Sequence, residues 1–426
     1  MIQCGLLGEK LGHSYSPAIH KRLGTYAYDL YEKAPSEVEG FLKDGKWHGL
    51  NVTIPYKKTV FPLLHEVSET ANAIGSVNTI VRRPDGTLFG DNTDAYGFRK
   101  MLERSGVPVA GRKVLVLGNG GAAAAVLYVL KSAGAQVVVI SRSGPDNYEN
   151  LDRHADAIMI VNTTPLGMYP NNGAAAVDLT HFPKCEAVLD LIYNPARTAL
   201  LLQAERLGIP YENGLYMLVA QAKRSAELFL GAEIADSRID RIYRELSVLL
   251  MNIVLIGMPG SGKSTVAKKL AAISDRTVYD ADAEFERKYG RTPEDVIRSE
   301  GEEAFRKMET EVLRALGALS GTILATGGGA VTREENYPLL HQNGIIVWIK
   351  RDVSELATEH RPLSQMTGRE ALYEKRKPMY EAFADCSAAY DEPAEQILEA
   401  VTAYVEKAET AATCAAHAEK AVGRKD

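Results

Sequence analysis

The sequence predicts an α/β protein with two units of the parallel-sheet kind behind an α/β N-terminal segment. Three observations carry this. The apolar run Lys113–Leu117 enters Gly118-Asn119-Gly120-Gly121-Ala122-Ala123 and leaves as a helix with Val126, Leu127 and Leu130 along it. The run Ile253–Ile256 passes through the glycine loop from Gly257 to Ser264 and leaves as a helix with Val266, Ala267 and Leu270 on one face. Ahead of both, short apolar runs alternate with helical stretches over residues 1 to 98.

The totals bound the rest. A chain of 426 residues is long enough for two or three domains, at about 150 residues each. Apolar residues at 46% and charged residues at 24% are ordinary for a globular protein. A net charge of −6 argues against nucleic acid as a partner. No apolar run reaches the roughly 18 residues of a membrane span, and the first residues lack a signal-peptide pattern. Cys4, Cys185, Cys386 and Cys414 show no paired spacing, which suits a reducing cytoplasm and no zinc site. A cytoplasmic enzyme without membrane or nucleic-acid partners is expected. Its oligomeric state is not legible.

In chain order, five clusters of small polar residues close strand-like runs before residue 98. These are Gly5-Leu6-Leu7-Gly8, His13-Ser14-Tyr15-Ser16-Pro17, Gly49-Leu50-Asn51-Val52-Thr53-Ile54-Pro55-Tyr56-Lys57, Ile74-Gly75-Ser76-Val77-Asn78-Thr79 and Gly90-Asp91-Asn92-Thr93-Asp94. Open α/β sheets bind ligands at such strand ends. Each also has a plain alternative: Ser14 and Ser16 as helix caps, Asn78 as a turn residue, Asp94 as an N-cap.

The Gly118–Ala122 loop matches G-x-G-x-x-G/A inside a strand–helix–strand unit, the setting that cradles a dinucleotide pyrophosphate. At the end of the next strand, Val137–Ile140, stand Ser141, Arg142 and Ser143 rather than an acid. An Arg between two hydroxyls suits the 2′-phosphate of NADP. Strands over Ala157–Val161 and Ala187–Leu191 follow, the second entering Tyr193-Asn194-Pro195, and residues 214 to 247 read as helix.

The second loop satisfies G-x-x-x-x-G-K-S/T. Its backbone, from Gly257 through Gly260, Ser261 and Gly262 to Thr265, wraps phosphates, Lys263 reaches the outer ones, and the Ser264 hydroxyl ligates Mg²⁺. ATP is therefore expected, with no linker between it and the preceding helix: Ser247–Met251 lacks Gly, Pro or a Ser-rich run. The last residues are Ala-rich and charged, reading as a disordered tail.

Taken together, HSYSP, NVTIPYK, IGSVNT, DNTD, GNGGAA, NTTPLGM and MLVAQA resemble the shikimate dehydrogenase family over residues 1 to about 247. The resemblance implies NADPH-dependent reduction of 3-dehydroshikimate. It assigns Lys57 as the proton donor with Asp94 beside it, and Ser14 and Ser16 to the substrate carboxylate. It gives Thr53, Asn78, Tyr193 and Gln221 to the rest of the substrate, and Gly214 to the cofactor. Hydride arriving at a ketone leaves an alkoxide, which needs an acid within hydrogen-bond reach. Two departures stand out. Only 18 residues separate Ser143 from Asn162, so one crossover helix is expected to be missing. Tyr216 occupies a position where many members carry Gly.

Residues 251 to about 408, with Asp280-Ala281-Asp282, Phe305-Arg306 with Glu309, Gly327-Gly328-Gly329, Arg361-Pro362-Leu363 and Arg376, resemble the shikimate kinase family. The resemblance implies that Asp282 binds the shikimate hydroxyls and that Asp280 helps hold Mg²⁺. Arg306 and Arg376 would clamp the carboxylate, Gly328 and Gly329 would let backbone approach the substrate, and Arg361 would close over ATP. The expected division is a substrate domain over 1–98 with helices about 218–247 packing back on it, an NADP domain over 99–217, a kinase over 251–408 and a tail over 409–426. Two alternatives stay open: a quinate/shikimate dehydrogenase using NAD, or one half acting as a non-catalytic module.

Overall fold

The computed structural model describes residues 2–12, 14–356 and 368–407. Three sheets follow one another along the chain. The first contains β1 (Gln3–Gly8), β2 (Ala27–Glu32), β3 (Gly49–Val52), β4 (Glu66–Val67), β5 (Thr79–Arg82) and β6 (Leu88–Asp91), in the order β2-β1-β3-β5-β6-β4. β1 lies parallel to β2 and β3, while β5 runs antiparallel to β3 and β6. Helices α1 (Ser16–Leu23), α2 (Val38–Asp44) and α3 (Glu69–Ile74) connect them. β3 is buried along its whole length, as a central strand covered on both faces must be.

α4 (Thr93–Ser105) leads to a second sheet of β7 (Lys113–Leu117), β8 (Gln136–Ile140), β9 (Met159–Asn162), β10 (Ala187–Asp190) and β11 (Tyr211–Glu212). Its order is β11-β10-β9-β7-β8, and every pairing is parallel. α5 (Gly121–Ser132) joins β7 to β8, and α6 (Ala199–Leu207) precedes β11. Between β8 and β9 the chain makes only a short 3-10 turn, Leu151–His154, in keeping with the short spacing there.

The stretch read as helical over 214–247 holds two helices. α7 (Gly214–Leu230) ends at Gly231, which adopts φ +62° and donates its N–H to Glu227 O. That left-handed cap stops the helix, and α8 (Ser237–Leu250) begins after a turn. Leu215, Ala220 and Ala226 of α7 share one core with Phe98 and Met101 of α4, Ile19 of α1 and Ile239 and Leu246 of α8.

Met251 alone separates α8 from β12 (Asn252–Ile256). With β13 (Val278–Asp280), β14 (Ile323–Ala325), β15 (Gly344–Lys350) and β16 (Cys386–Ala389) it forms an all-parallel sheet, β13-β14-β12-β15-β16. α9 (Lys263–Ser274), α10 (Ala281–Tyr289), α11 (Pro293–Glu300), α12 (Glu302–Gly317), α13 (Asn336–His341) and the helix Arg369–Phe383 surround it. Arg361 and residues 409–426 lie outside the described residues. Among the described residues no helix is long and apolar enough to cross a membrane.

Candidate active sites

The first site is a cavity of about 260 Å³ between the first two sheets, bordered by Ser14, Ser16, Thr53, Lys57, Asn78, Asp94, Tyr193 and Gln221. Every residue expected to touch substrate therefore faces one space. The ends of β1 and β3 bring in the serines and Thr53, β5 is preceded by Asn78, and the first turn of α4 carries Asp94. Lys57 Nζ donates to Asp94 Oδ2 at 2.5 Å, and Asn78 Nδ2 donates to Asp94 Oδ1 at 2.8 Å. The carboxylate is thus held on both oxygens while Lys57 keeps free ammonium protons for a ligand. The capping readings fare differently. Asp94 follows the N-cap position, which belongs to Asn92, whereas Ser14 Oγ does accept the Ser16 N–H at the start of α1.

Behind the cavity lies a polar layer in which residues of the sequence clusters meet Ser225 and Tyr28, two residues that motif reading missed. Asn78 Oδ1 accepts from Thr93 N at 2.7 Å, and the Thr93 and Thr79 hydroxyls both lie within 3.2 Å of Ser225 Oγ. Asn51 Nδ2 donates to the same Ser225 Oγ at 2.7 Å, and Asn51 Oδ1 accepts from Tyr28 OH. All but Tyr28 are buried. Such satisfied networks hold a site rigidly. The available signal was spacing: Ser225 lies four residues beyond Gln221, one turn along the same helix face.

The glycine loop meets this cavity, since Ala122, near the start of α5, also borders it. Gly118 sits at φ +97°, where an added Cβ would lie 2.8 Å from Thr164 Cγ2. Only Gly serves there. Asn119, Gly120 and Gly121 follow, and α5 starts with no side-chain cap. The Ala123 N–H turns back to Gly120 O, and the N–H groups ahead of it point the helix start at an anion. Ser141, Arg142 and Ser143 directly follow β8. Gly214 borders the cavity at the start of α7. Tyr216 does not border it. Its hydroxyl donates to Asp240 at 3.0 Å and its ring stacks under the Arg104 guanidinium, so the large side chain is turned into the α4–α8 packing.

The second site sits at the C-terminal ends of β12, β13 and β14. Lys263, 8% exposed, donates to the carbonyls of Gly257 and Met258 at 3.0 Å. Gly260, Ser261 and Gly262 complete the loop, and Ser264 and Thr265 open α9. Ser264 Oγ donates to Asp280 Oδ2 at 2.7 Å, while Asp280 Oδ1 caps α10 by accepting the Asp282 N–H. Asp280 is thus both helix cap and hydroxyl partner.

Arg306 is 6% exposed, donating to Glu309 Oε2 at 2.7 Å and to Glu302 Oε1 at 3.0 Å. A Cβ on Gly329 would stand 2.0 Å from Arg306 Nη2, so the third glycine is what lets the guanidinium lie against the backbone. Arg376 Nη1 and Tyr380 OH both donate to Gly328 O. Burial raises the Glu309 carboxyl, with Arg306 pulling the other way. Sequence reasoning missed Tyr380 and also Tyr390, whose ring stands over Gly262 with the Arg351 guanidinium 4.2 Å from its centroid.

Comparison with known proteins agrees with both halves. A family model described as shikimate dehydrogenase substrate binding domain matches residues 6–80, and one described as shikimate kinase matches residues 259–406. The shikimate dehydrogenase (NADP(+)) of Clostridium perfringens is 38% identical over 264 residues, covering 57% of this chain and 97% of that protein. A chorismate mutase/shikimate 5-dehydrogenase fusion protein from Clostridium acetobutylicum is similar in structure, with TM-score 0.54 and 39% identity over 58% of this chain and 97% of that one. The shikimate 5-dehydrogenase of Thermus thermophilus, solved with NADP(H) and shikimate, gives 0.53 at 32% identity over 57% and 99%. The chain belongs to the shikimate dehydrogenase family and carries a shikimate kinase domain fused behind it, which makes it a bifunctional enzyme of the shikimate pathway.

Proposed function

We propose that the first cavity reduces 3-dehydroshikimate to shikimate with NADPH, and that the second site phosphorylates the 3-hydroxyl of shikimate with ATP. The observation that carries this reading is the Lys57–Asp94 pair at 2.5 Å, in a cavity that the start of α5 also borders. When bound, NADPH supplies the hydride, and ATP with Mg²⁺ supplies the phosphoryl group. Ser14 and Ser16 take the substrate carboxylate, and Thr53, Asn78, Tyr193 and Gln221 orient the ring. Lys57 gives its proton to the oxygen that becomes the new hydroxyl, and Asp94 holds Lys57 in place. Gly118–Ala122 and Gly214 hold the dinucleotide, with Ser141, Arg142 and Ser143 at the adenosine 2′-phosphate.

In the kinase, Gly257–Thr265 cradles the phosphates, with Lys263 as the charge clamp. The Ser264 hydroxyl and Asp280 carboxylate, in contact with one another, form the oxygen donor set that Mg²⁺ prefers. Asp282 holds the attacking hydroxyl. Arg306 and Arg376 take the carboxylate beside Gly328 and Gly329, for which a guanidinium fork is suited. The assay that tests the reading supplies 3-dehydroshikimate, NADPH and ATP together. NADPH loss followed by ADP formation is expected, and NADPH loss without ADP, or neither, would overturn it.

A further inference from the structure

Between the two enzymes lies a buried seam that neither reaction explains. The segment after β10, Asn194 to Arg197, docks on the turn between α13 and β15. Arg197 N donates to Gln342 O at 2.8 Å, and Ala196 N donates to Asn343 Oδ1 at 2.9 Å. Asn343 Nδ2 also reaches Asn194 Oδ1 at 3.3 Å. The Arg197 guanidinium donates to His341 O at 2.7 Å and to Gly344 O at 3.3 Å. Arg197, Gln342 and Asn343 are all under 9% exposed. These donors have their partners on the other domain, so the segment's conformation is completed by the kinase.

What the segment touches on its other side is the dehydrogenase cavity. Tyr193, immediately before Asn194, borders that cavity. Ala196 O accepts from Asn213 Nδ2 at 2.9 Å, and Asn213 Oδ1 caps α7 by accepting the Leu215 N–H. α7 then presents Gly214, Met217 and Gln221 to the cavity. Two short routes therefore run from Asn343 into the site, one through Tyr193 and one through the start of α7. The kinase is also joined to the opposite wall. α8, which enters β12 directly, packs on α1 and α7, with Arg22 of α1 paired to Glu245 at 3.0 Å.

We propose that the kinase domain is a structural part of the dehydrogenase active site, with Asn343 and Arg197 as positioning residues for Tyr193 and the start of α7. This rests on the Lys57–Asp94 cavity being the dehydrogenase site. The kinase's own site is remote from the seam. β15 starts at the seam with Gly344 and ends at Lys350, and Ile349 O lies against Gly257 of the phosphate loop. At about 3.3 Å per residue, the five steps from Gly344 to Ile349 separate the two by roughly 17 Å.

The test uses the full chain. Asn343→Ala removes the Ala196 and Asn194 contacts together with two bonds inside the kinase, to Leu319 O and Ser320 Oγ. Arg197→Met removes only the guanidinium donors from the dehydrogenase side and so controls for that loss, with Arg197→Lys as the conservative control. In the first two, dehydrogenase kcat/KM should fall about tenfold, the KM for 3-dehydroshikimate rising, because small displacements at a reacting site are costly. Shikimate kinase kcat and KM should stay within about twofold in the same samples, and Arg197→Lys should recover part of the loss. Unchanged dehydrogenase kinetics in both variants would overturn the proposal. So would a parallel fall of both activities, which marks the seam as fold support only. Lys57→Met run alongside separates the two readings. If it is inactive while Asn343→Ala and Arg197→Met are normal, only this proposal fails. If it is active, both fail.

Discussion

His341 Nε2 lies 3.0 Å from Glu205 Oε2, a contact that joins the kinase to α6 of the dehydrogenase. The other ring nitrogen, Nδ1, is 3.2 Å from Asp385 Oδ2. Both nitrogens face carboxylate oxygens, so both must carry a proton, and the imidazole is held as a cation. Arg197 completes the group, its Nε 3.7 Å from Glu205 Oε1. Tyr211 donates to Glu205 and Tyr404 to Asp385, while Tyr337 stacks on the His341 ring. The two cations and two carboxylates balance only with His341 protonated.

The pH dependence follows. Burial and Arg197 pull the His341 pKa down, but the bonds to Asp385 and Glu205 outweigh them and raise it. A raised folded value contributes stability that is complete below the unfolded histidine value of about 6.5 and is lost as pH rises through the folded value. For Glu205, burial acts upward, yet His341 and Arg197 bring the carboxyl down to about 2. Its contribution is present above the unfolded value of about 4.3 and is lost as pH falls toward the folded one. His341→Gln removes the cation between the buried Asp385 carboxylate and the partly exposed Glu205, which keeps Arg197, and should cost about 3 kcal/mol near pH 6, the low end for breaking a buried pair. Thermal unfolding from pH 6 to 9 should show that cost shrinking as the wild type loses its proton. A pH-independent difference would refute the charged dock.

Lys57→Met should lower dehydrogenase turnover at least about a hundredfold, the low end of what a positioned acid contributes. Kinase activity in the same preparation should be unaffected. NADPH oxidation surviving within a few-fold would place the acid elsewhere.

Arg142 has a distinct readout in cofactor preference. Charge-assisted bonds to a 2′-phosphate are worth on the order of 2 kcal/mol, about thirtyfold in affinity. Arg142→Ala should therefore erode the preference for NADPH over NADH by roughly that factor. An unchanged ratio of the two kcat/KM values would assign the phosphate to other groups.

For the kinase, Lys263→Ala should abolish phosphoryl transfer by removing the phosphate clamp. Asp282→Asn should impair use of shikimate more than binding of ATP. Nucleotide titration and shikimate kinetics on the same variant separate these roles, and the reverse pattern would contradict the assignment.

Shikimate should pass between the sites by free diffusion. The seam lies beside the dehydrogenase cavity, while the phosphate loop is at the far end of β15, and tethering does not retain a small free product. The lag before shikimate 3-phosphate appears should match between the wild type and an equimolar mixture of full-length Lys57→Met and Lys263→Ala, at equal concentrations of each active site. A lag abolished only in the wild type would show transfer between the sites.

Whatever depends on local backbone could be read directly from the chain. Gly118, Gly257 and Gly262 have positive φ, and strand–loop–helix passages that need such residues announce themselves in a dozen positions. Lys57, Asn78 and Asp94 were legible because each belongs to a cluster of small polar residues in a loop or turn beside a strand of the first sheet, where open sheets gather ligands. Long-range packing was needed to turn Tyr216 away from the cavity, since a side chain's direction follows its neighbours Arg104, Asp240 and Tyr243. The folded chain also set Ser225 against Thr79 behind the cavity and brought Glu205, His341 and Asp385 together. Those last three residues are far apart in the chain and match no motif, because a buried ion group between domains depends on tertiary contacts and imposes no spacing on the sequence around it.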